Sequence, residues 1–236
     1  VNRIYGMSYG DTANKPVVLF FNQHASEWKA VYYVLEFFKI LNGNKFYDQT
    51  FIESLKEKLS FYFVVTANPY GYINDSYVNA NGVNLNRNWD NNWESYNDGG
   101  VLTNNKGTAP FSEVDIQRVR DKILELKPHM VIDCHTTNEN VGGLETNKVY
   151  TEYRNLMLEC YNKINEVFDD SSLATQEWNT GSSPTSVGWV GKQLNKNGGK
   201  IIPAMIEHLS WHPANYGTTA ILYLCYYLKQ HLDGLI

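Results

Sequence analysis

Short, continuously apolar runs alternate along the chain with longer runs in which apolar positions recur every three or four residues. Pro16–Phe21 (PVVLFF), Ser60–Thr66 (SFYFVVT), Met130–Asp133 and Ile201–Ile206 show the first pattern and read as strands buried on both faces. Glu27–Leu41 shows the second, with Val31, Val34, Leu35, Phe38 and Leu41 along one face of a helix. Ser112–Leu126 reads as another helix, with Ser112 as its N-cap and Pro128 closing it, and Val149–Phe168 and Ala214–Leu232 read as two more. Strands alternating with helices predict an α/β fold: a mixed, mostly parallel central sheet covered by helices on both faces. No linker or internal repeat divides the sequence, so one α/β/α domain is expected over residues 1–236. The stretch Asn68–Phe111 follows neither period. Rich in Asn, Gly and Tyr, it is expected to be a long loop system of the kind that carries function.

In open α/β sheets ligands bind beyond the carboxyl ends of the strands. His24 follows the strand ending at Phe21, His135 the one ending near Asp133, and Glu207 the one ending at Ile206. Three residues distant in sequence are thereby expected at one sheet edge. His24 and Glu27, three apart at a strand-to-helix turn, place an imidazole and a carboxylate on one face. That spacing alone is weak: with six His, an HxxE appears by chance in roughly a third of such chains. Its plain alternative is an acidic helix start favoured by the helix dipole. With His135 the set becomes His-Glu-His, and three protein ligands with one open position is the arrangement of catalytic zinc. Glu207 ends an apolar strand, where a carboxylate is either a solvated terminus or a proton acceptor beside a metal. Arg87, between Asn86 and Asn88, offers a planar fork for a carboxylate. His129, His208, His212 and His231 read as structural or surface residues.

Composition narrows the partners. At 236 residues, 43% hydrophobic and 19% charged, the chain can bury a full core without disulfides. A net charge of −5 with no basic cluster argues against nucleic acid or an anionic membrane surface as partner, and no run is long and apolar enough to span a bilayer. Cys134, Cys160 and Cys225 are too scattered for a disulfide framework and are expected as free buried thiols, which leaves the compartment open. An extracellular or surface-associated setting is slightly favoured. The first residue is Val1, as in a processed protein or a domain cut from a longer one. The 17 Tyr and 6 Trp crowd polar loops such as Trp89–Tyr96, where rigid rings suit contact with peptide or sugar or simply cover loop surface.

Five segments together resemble the zinc carboxypeptidase family, which includes the pancreatic carboxypeptidases A and B. His24-Ala25-Ser26-Glu27-Trp28 resembles its HxxEW metal motif, and Asn68-Pro69-Tyr70-Gly71-Tyr72 its N-P-x-G-Y/F turn. Asn79–Asn88 (NANGVNLNRN) resembles its NANGVDLNRN segment, Gly107–Glu113 its FSE helix start, and Asp133-Cys134-His135 its third-ligand strand. The matches run in family order from about Pro16 to Glu207. The resemblance implies the family's α/β/α fold, one zinc ion bound by His24, Glu27 and His135, and Glu207 as general base. It also implies that Asn86 and Arg87 hold the carboxylate of a peptide or acylated amino acid.

Three positions depart from that pattern. Asn84 stands where the family usually has an Asp that orients the first metal histidine. No Arg lies between Asn68 and Asn86 to stabilise an oxyanion, and Tyr77 occupies roughly that place. Ala174–Ser183 has no Tyr where the family carries a mobile one, although Trp178 is close. Besides a peptidase, an N-acyl-amino-acid deacylase or cell-wall stem-peptide hydrolase of the same chemistry fits the residues, because His135-Thr136-Thr137 also resembles the succinylglutamate desuccinylase and aspartoacylase branch. A catalytically weak binding domain is the reading from a different class, and Asn84 motivates it.

Overall fold

The computed structural model describes residues 3–43, 48–137, 143–145, 159, 162–163, 165–167, 183–210 and 212–235. Six strands form one sheet: β1 Gly6–Tyr9, β2 Val17–Phe21, β3 Ser60–Val64, β4 Met130–Thr137, β5 Gly143–Glu145 and β6 Ile202–Leu209, in the spatial order β1-β3-β2-β4-β6-β5. The four central strands run parallel and the two edge strands antiparallel. The helices are α1 Trp28–Leu41, α2 Gln49–Lys58, α3 Pro69–Asn74, α4 Val114–Leu126, α5 Ser186–Val190 and α6 Asn215–Leu232. All five side chains of β2 are fully buried, as a strand flanked on both sides and covered on both faces requires.

Alternation along the strands divides the core in two. Val18, Phe20, Ile132, Cys134, Ala204 and Ile206 face one side and pack under α1, α2 and α6, where the Phe20, Phe37, Phe61 and Phe63 rings cluster. Leu19, Phe21, Val131 and Ile201 face the other side, with Ile116, Val119 and Ile123 of α4, Trp189 and Val190 of α5, and Trp89. The first side is apolar throughout its middle. The second turns polar toward the carboxyl ends of β2, β4 and β6.

The four predicted strands are present, and their ends need correction. β3 stops at Val64, whereas β4 continues four residues beyond Asp133 and β6 three beyond Ile206. His135 and Glu207 therefore lie within paired strands rather than beyond them. Ladder pairing between β4 and β6 carries the backbone past the last apolar residue, from Met130↔Ile202 to Thr137↔Leu209. Helix α4 starts at Val114, not Ser112, and closes on Lys127 in the left-handed region. The Ser112 hydroxyl donates to Glu113 Oε1 (2.7 Å) and caps nothing. Asn68–Phe111 is not wholly irregular, since it contains α3 and the 3₁₀ turns Leu85–Arg87 and Leu102–Asn104. Trp89 and Trp93 point inward: Trp89 packs on Phe21, Phe111 and Trp189, and the Trp93 indole N–H donates to Lys106 O (2.9 Å). Those rings build the loop's own core. Cys134 and Cys225 are buried free thiols, as expected, while Cys160, most of Val149–Phe168 and all of Ala174–Ser183 except Ser183 lie outside the described residues.

Candidate metal centre

His24 reaches its position through the end of β2. Beyond Phe21 the chain leaves the sheet, and fully buried Asn22 holds the turn by donating to Cys134 O (2.8 Å) and His24 O (3.2 Å). A backbone bond from Glu27 N–H to His24 O (3.0 Å) closes the turn, so Glu27 stands at the N-cap position of α1, and its carboxylate makes no capping bond but lies against His24. The Thr136 N–H, at the end of β4, donates to Glu27 Oε2 (3.0 Å) and fixes that carboxylate. His135 stands on the same strand, fully buried.

These residues converge. His24 Nδ1 lies 3.0 Å from Glu27 Oε1, and His135 Nδ1 lies 2.9 Å from Glu27 Oε2. One ligand atom from each of His24, Glu27 and His135 falls within 4.8 Å of the other two. Two nitrogens and a carboxylate oxygen at that spacing match the donor set of a zinc site with an open position. The electrostatics agree. Burial alone would raise the Glu27 carboxyl, but the two imidazoles outweigh it and lower its pKa to about 2. Burial alone would depress His135, yet Asp133 and Glu27 raise it well above the ordinary histidine value. Imidazoles and carboxylates in the cluster thus each favour the other's charged form.

The outward ring nitrogens set the tautomers. Asn84 has its amide orientation dictated by its neighbours: Nδ2 donates to Thr103 O (2.6 Å), and Oδ1 accepts from the Asn86 backbone N–H (2.8 Å). The oxygen is thus the atom facing His24 Nε2 at 2.8 Å, so His24 carries its proton there and Nδ1 is free to ligate. Behind His135 lies a part of the site that the sequence reading missed. Asp133, 2% exposed, accepts from the Ser186 hydroxyl (2.6 Å) and from Gln23 Nε2, and Gln23 Oε1 accepts from the Trp89 indole (3.1 Å). Asp133 and His135 are i and i+2 on one strand, hence on one face; that spacing was the available signal.

The remaining predicted residues surround this centre. Glu207 pairs in register with His135, so both side chains stand on the same face of adjacent strands, whereas His208 turns to the apolar side against Tyr33 and Tyr216. Tyr77 lies against His24, ring centroids 3.9 Å apart, and burial together with the Glu27 charge pushes its phenol above the ordinary value. Asn86 is buried, and its Oδ1 accepts from the Ser186 backbone N–H (3.1 Å). Arg87 is held at Nε by the Tyr96 hydroxyl (3.1 Å) and at Nη1 by Asn86 O (2.8 Å). No helix among the described residues is long and apolar enough to cross a membrane.

Known proteins share this arrangement of elements. The solved metallo-carboxypeptidase of Burkholderia cenocepacia superposes with a TM-score of 0.69 at 17% identity, over 98% of this chain and 61% of its own. Carboxypeptidase A of Helicoverpa armigera gives a TM-score of 0.73 at 16% identity, over 98% of this chain and 66% of its own. At these identities the likeness is one of fold. In sequence, a carboxypeptidase B of Astacus astacus is 30% identical over 135 residues, 48% of this chain and 42% of that protein. The chain therefore spans less than half the length of that curated relative, and less than two thirds of either solved chain. The family model described as zinc carboxypeptidase matches residues 3–220, nearly the whole sequence and every element around the cluster. By that match the chain belongs to the zinc carboxypeptidase family.

Proposed function

We propose that the protein is a zinc-dependent hydrolase that releases a C-terminal residue from a peptide, with Glu207 as general base. The convergence of His24 Nδ1, Glu27 and His135 Nδ1 beside in-register Glu207 carries this reading. His24, Glu27 and His135 would hold a zinc ion, which would supply Lewis acidity to the scissile carbonyl and to water. The chain's own groups do the rest. Glu207 takes a proton from the attacking water and hands it to the leaving amine, which requires a carboxylate on the same sheet face as the ligands. Asn86 has its amide oxygen engaged by Ser186, so Nδ2 is the group that would donate to a substrate carboxylate. Arg87, held at Nε and Nη1, presents the rest of its guanidinium to the same carboxylate. Tyr77, kept as a neutral phenol by its surroundings, donates its O–H to the oxyanion in place of the absent arginine.

Mass spectrometry of a mixed peptide library incubated with zinc-loaded protein tests the reading, with amidated peptides as controls. Loss of single residues from free C-termini only is the expected result. Cleavage confined to N-acyl amino acids or stem peptides would reassign the substrate while keeping the chemistry. Glu207→Gln is expected to lower turnover by about 10²–10⁴-fold with zinc still bound, and wild-type turnover in that variant would refute the role of Glu207.

A further inference from the structure

We infer that Asp133 is the residue that orients His135 and supplies negative charge to the metal centre, so that carboxylate support of the ligands sits behind the second histidine and not the first. The inference rests on the metal reading above. Asp133 Oδ2 lies 3.0 Å from His135 Nε2, the ring nitrogen opposite the one that faces Glu27. The carboxylate sits off the axis of the ring N–H, so this is an ion-pair contact rather than an aligned hydrogen bond. Its other oxygen, Oδ1, is buried and has no hydrogen-bond partner among the described residues. A buried carboxylate in that condition is costly unless positive charge compensates it. Among the described residues the ring nitrogen placed against it is His135 Nε2, and through that imidazole the carboxylate faces the centre that His135 lines.

Ser186 and Gln23 pin the carboxylate in place. The same Ser186 uses its backbone N–H to hold Asn86, so one residue at the start of α5 sets both the charge behind His135 and the amide offered to substrate. On the other side the support is neutral. Asn84 gives His24 an amide oxygen, and its Nδ2 is committed to Thr103 O at 2.6 Å. A carboxylate at position 84 would set an oxygen against that carbonyl oxygen. The local backbone therefore selects an amide behind His24, and Asp133 carries the charge that basic ligation needs.

The test measures zinc affinity by competition with a chromophoric chelator, and the imidazole resonances of zinc-loaded protein by ¹⁵N NMR. Asp133→Asn keeps the shape and removes the charge. It is expected to weaken zinc binding by about 10–100-fold and to move the His135 Nε2–H proton upfield while that of His24 stays in place. Asn84→Asp is expected to bind zinc no more tightly than the parent. Should Asp133→Asn fail to fold, Ser186→Ala carries the same test, with the His135 resonance again the one that moves. Asp133→Asn protein that binds zinc as the parent does, or Asn84→Asp protein that binds it more tightly, overturns the inference. A parent that binds no zinc overturns both the inference and the metal reading beneath it.

Discussion

Tyr77 and Asn84 are the two residues whose chemistry departs most from what the motifs imply. Without Arg between Asn68 and Asn86, the proposed oxyanion needs another donor beside the candidate ligands, and Tyr77 packs against His24 with its phenol raised by burial and by Glu27. Tyr77→Phe keeps the ring contact and removes the donor. Turnover is expected to fall about 10²–10³-fold with KM little changed, read from steady-state kinetics on a peptide substrate. Unchanged turnover would take Tyr77 out of the site. At this scale the candidate ligands were legible because each follows a predicted strand and stands in a segment that resembles a family motif, while the HxxE spacing alone said little. Gln23 and Ser186 were not legible: each is an ordinary polar residue until the fold brings it within hydrogen-bond reach of Asp133 across more than fifty positions of sequence. The polar surroundings of Trp89 in sequence left two readings open, a ring for ligand contact or a cover over loop surface, and the structure shows neither. The Trp89 ring is fully buried, and its N–H serves the same Gln23.

Among the elements, the resemblance motifs prove to be scaffolding as much as chemistry. Glu113, ahead of α4, is 5% exposed, and its Oε2 accepts from Asn79 Nδ2 (2.7 Å) and Asn81 Nδ2 (2.8 Å). Asn79 Oδ1 in turn accepts from the N–H groups of Asn81 and Val83 (3.1 and 3.0 Å). This network shapes the loop that delivers Asn84, Asn86 and Arg87. Glu113→Gln opposes an NH₂ group to two donors or gives up Ser112, so it is expected to cost about 1–3 kcal/mol in a urea melt. A rise in KM is expected with it, because the loop carries Asn86 and Arg87, the pair proposed to bind the substrate carboxylate. A variant with parental stability and KM would show that the loop holds itself. Helix α6 offers a purely structural counterpart: a Cβ on Gly217 would sit 2.3 Å from the Tyr33 ring. Gly217→Ala gains about 1 kcal/mol of helix propensity but overpacks a buried ring, and a net loss of about 1–2 kcal/mol is expected by thermal melting. The interior strands could be read because burial on both faces leaves an unbroken apolar run. β1 is largely exposed and α2 buries only Ile52 and Leu55, so neither carries enough apolar signal to be read.

Over the whole molecule, the parallel sheet separates a polar edge that holds the candidate centre from an interior that has no place for charge, and two histidines fall on the wrong side of that division. His208 alternates away from Glu207 into the apolar face, and His129 lies just before β4, at the end of the sheet opposite the site. Among the described residues neither has a hydrogen-bond partner on either ring nitrogen, and each is nearly inaccessible. Burial, with His212 adding to it, depresses His208 to about 3, and burial with Lys196 nearby depresses His129 to about 4. In the unfolded chain both return to about 6.5. Between those limits the unfolded state binds more protons, so the stability they allow is complete above about pH 6.5 and is lost as pH falls toward 4. Each contributes up to about 1.4 kcal/mol per pH unit inside that window. His135, whose folded pKa is raised, has the opposite sign, but its contribution is lost only as pH rises above about 6.5, outside the window. Urea midpoints of metal-free protein at about pH 6 and about pH 5 isolate the effect, and a falling midpoint is expected. His208→Phe retains an aromatic ring edge-on to Tyr33 and removes the titrating group, so its midpoint should fall less steeply by one histidine's share. Equal slopes in parent and variant would mean that His208 is protonated without cost, and that this face of the sheet admits more water than its packing implies.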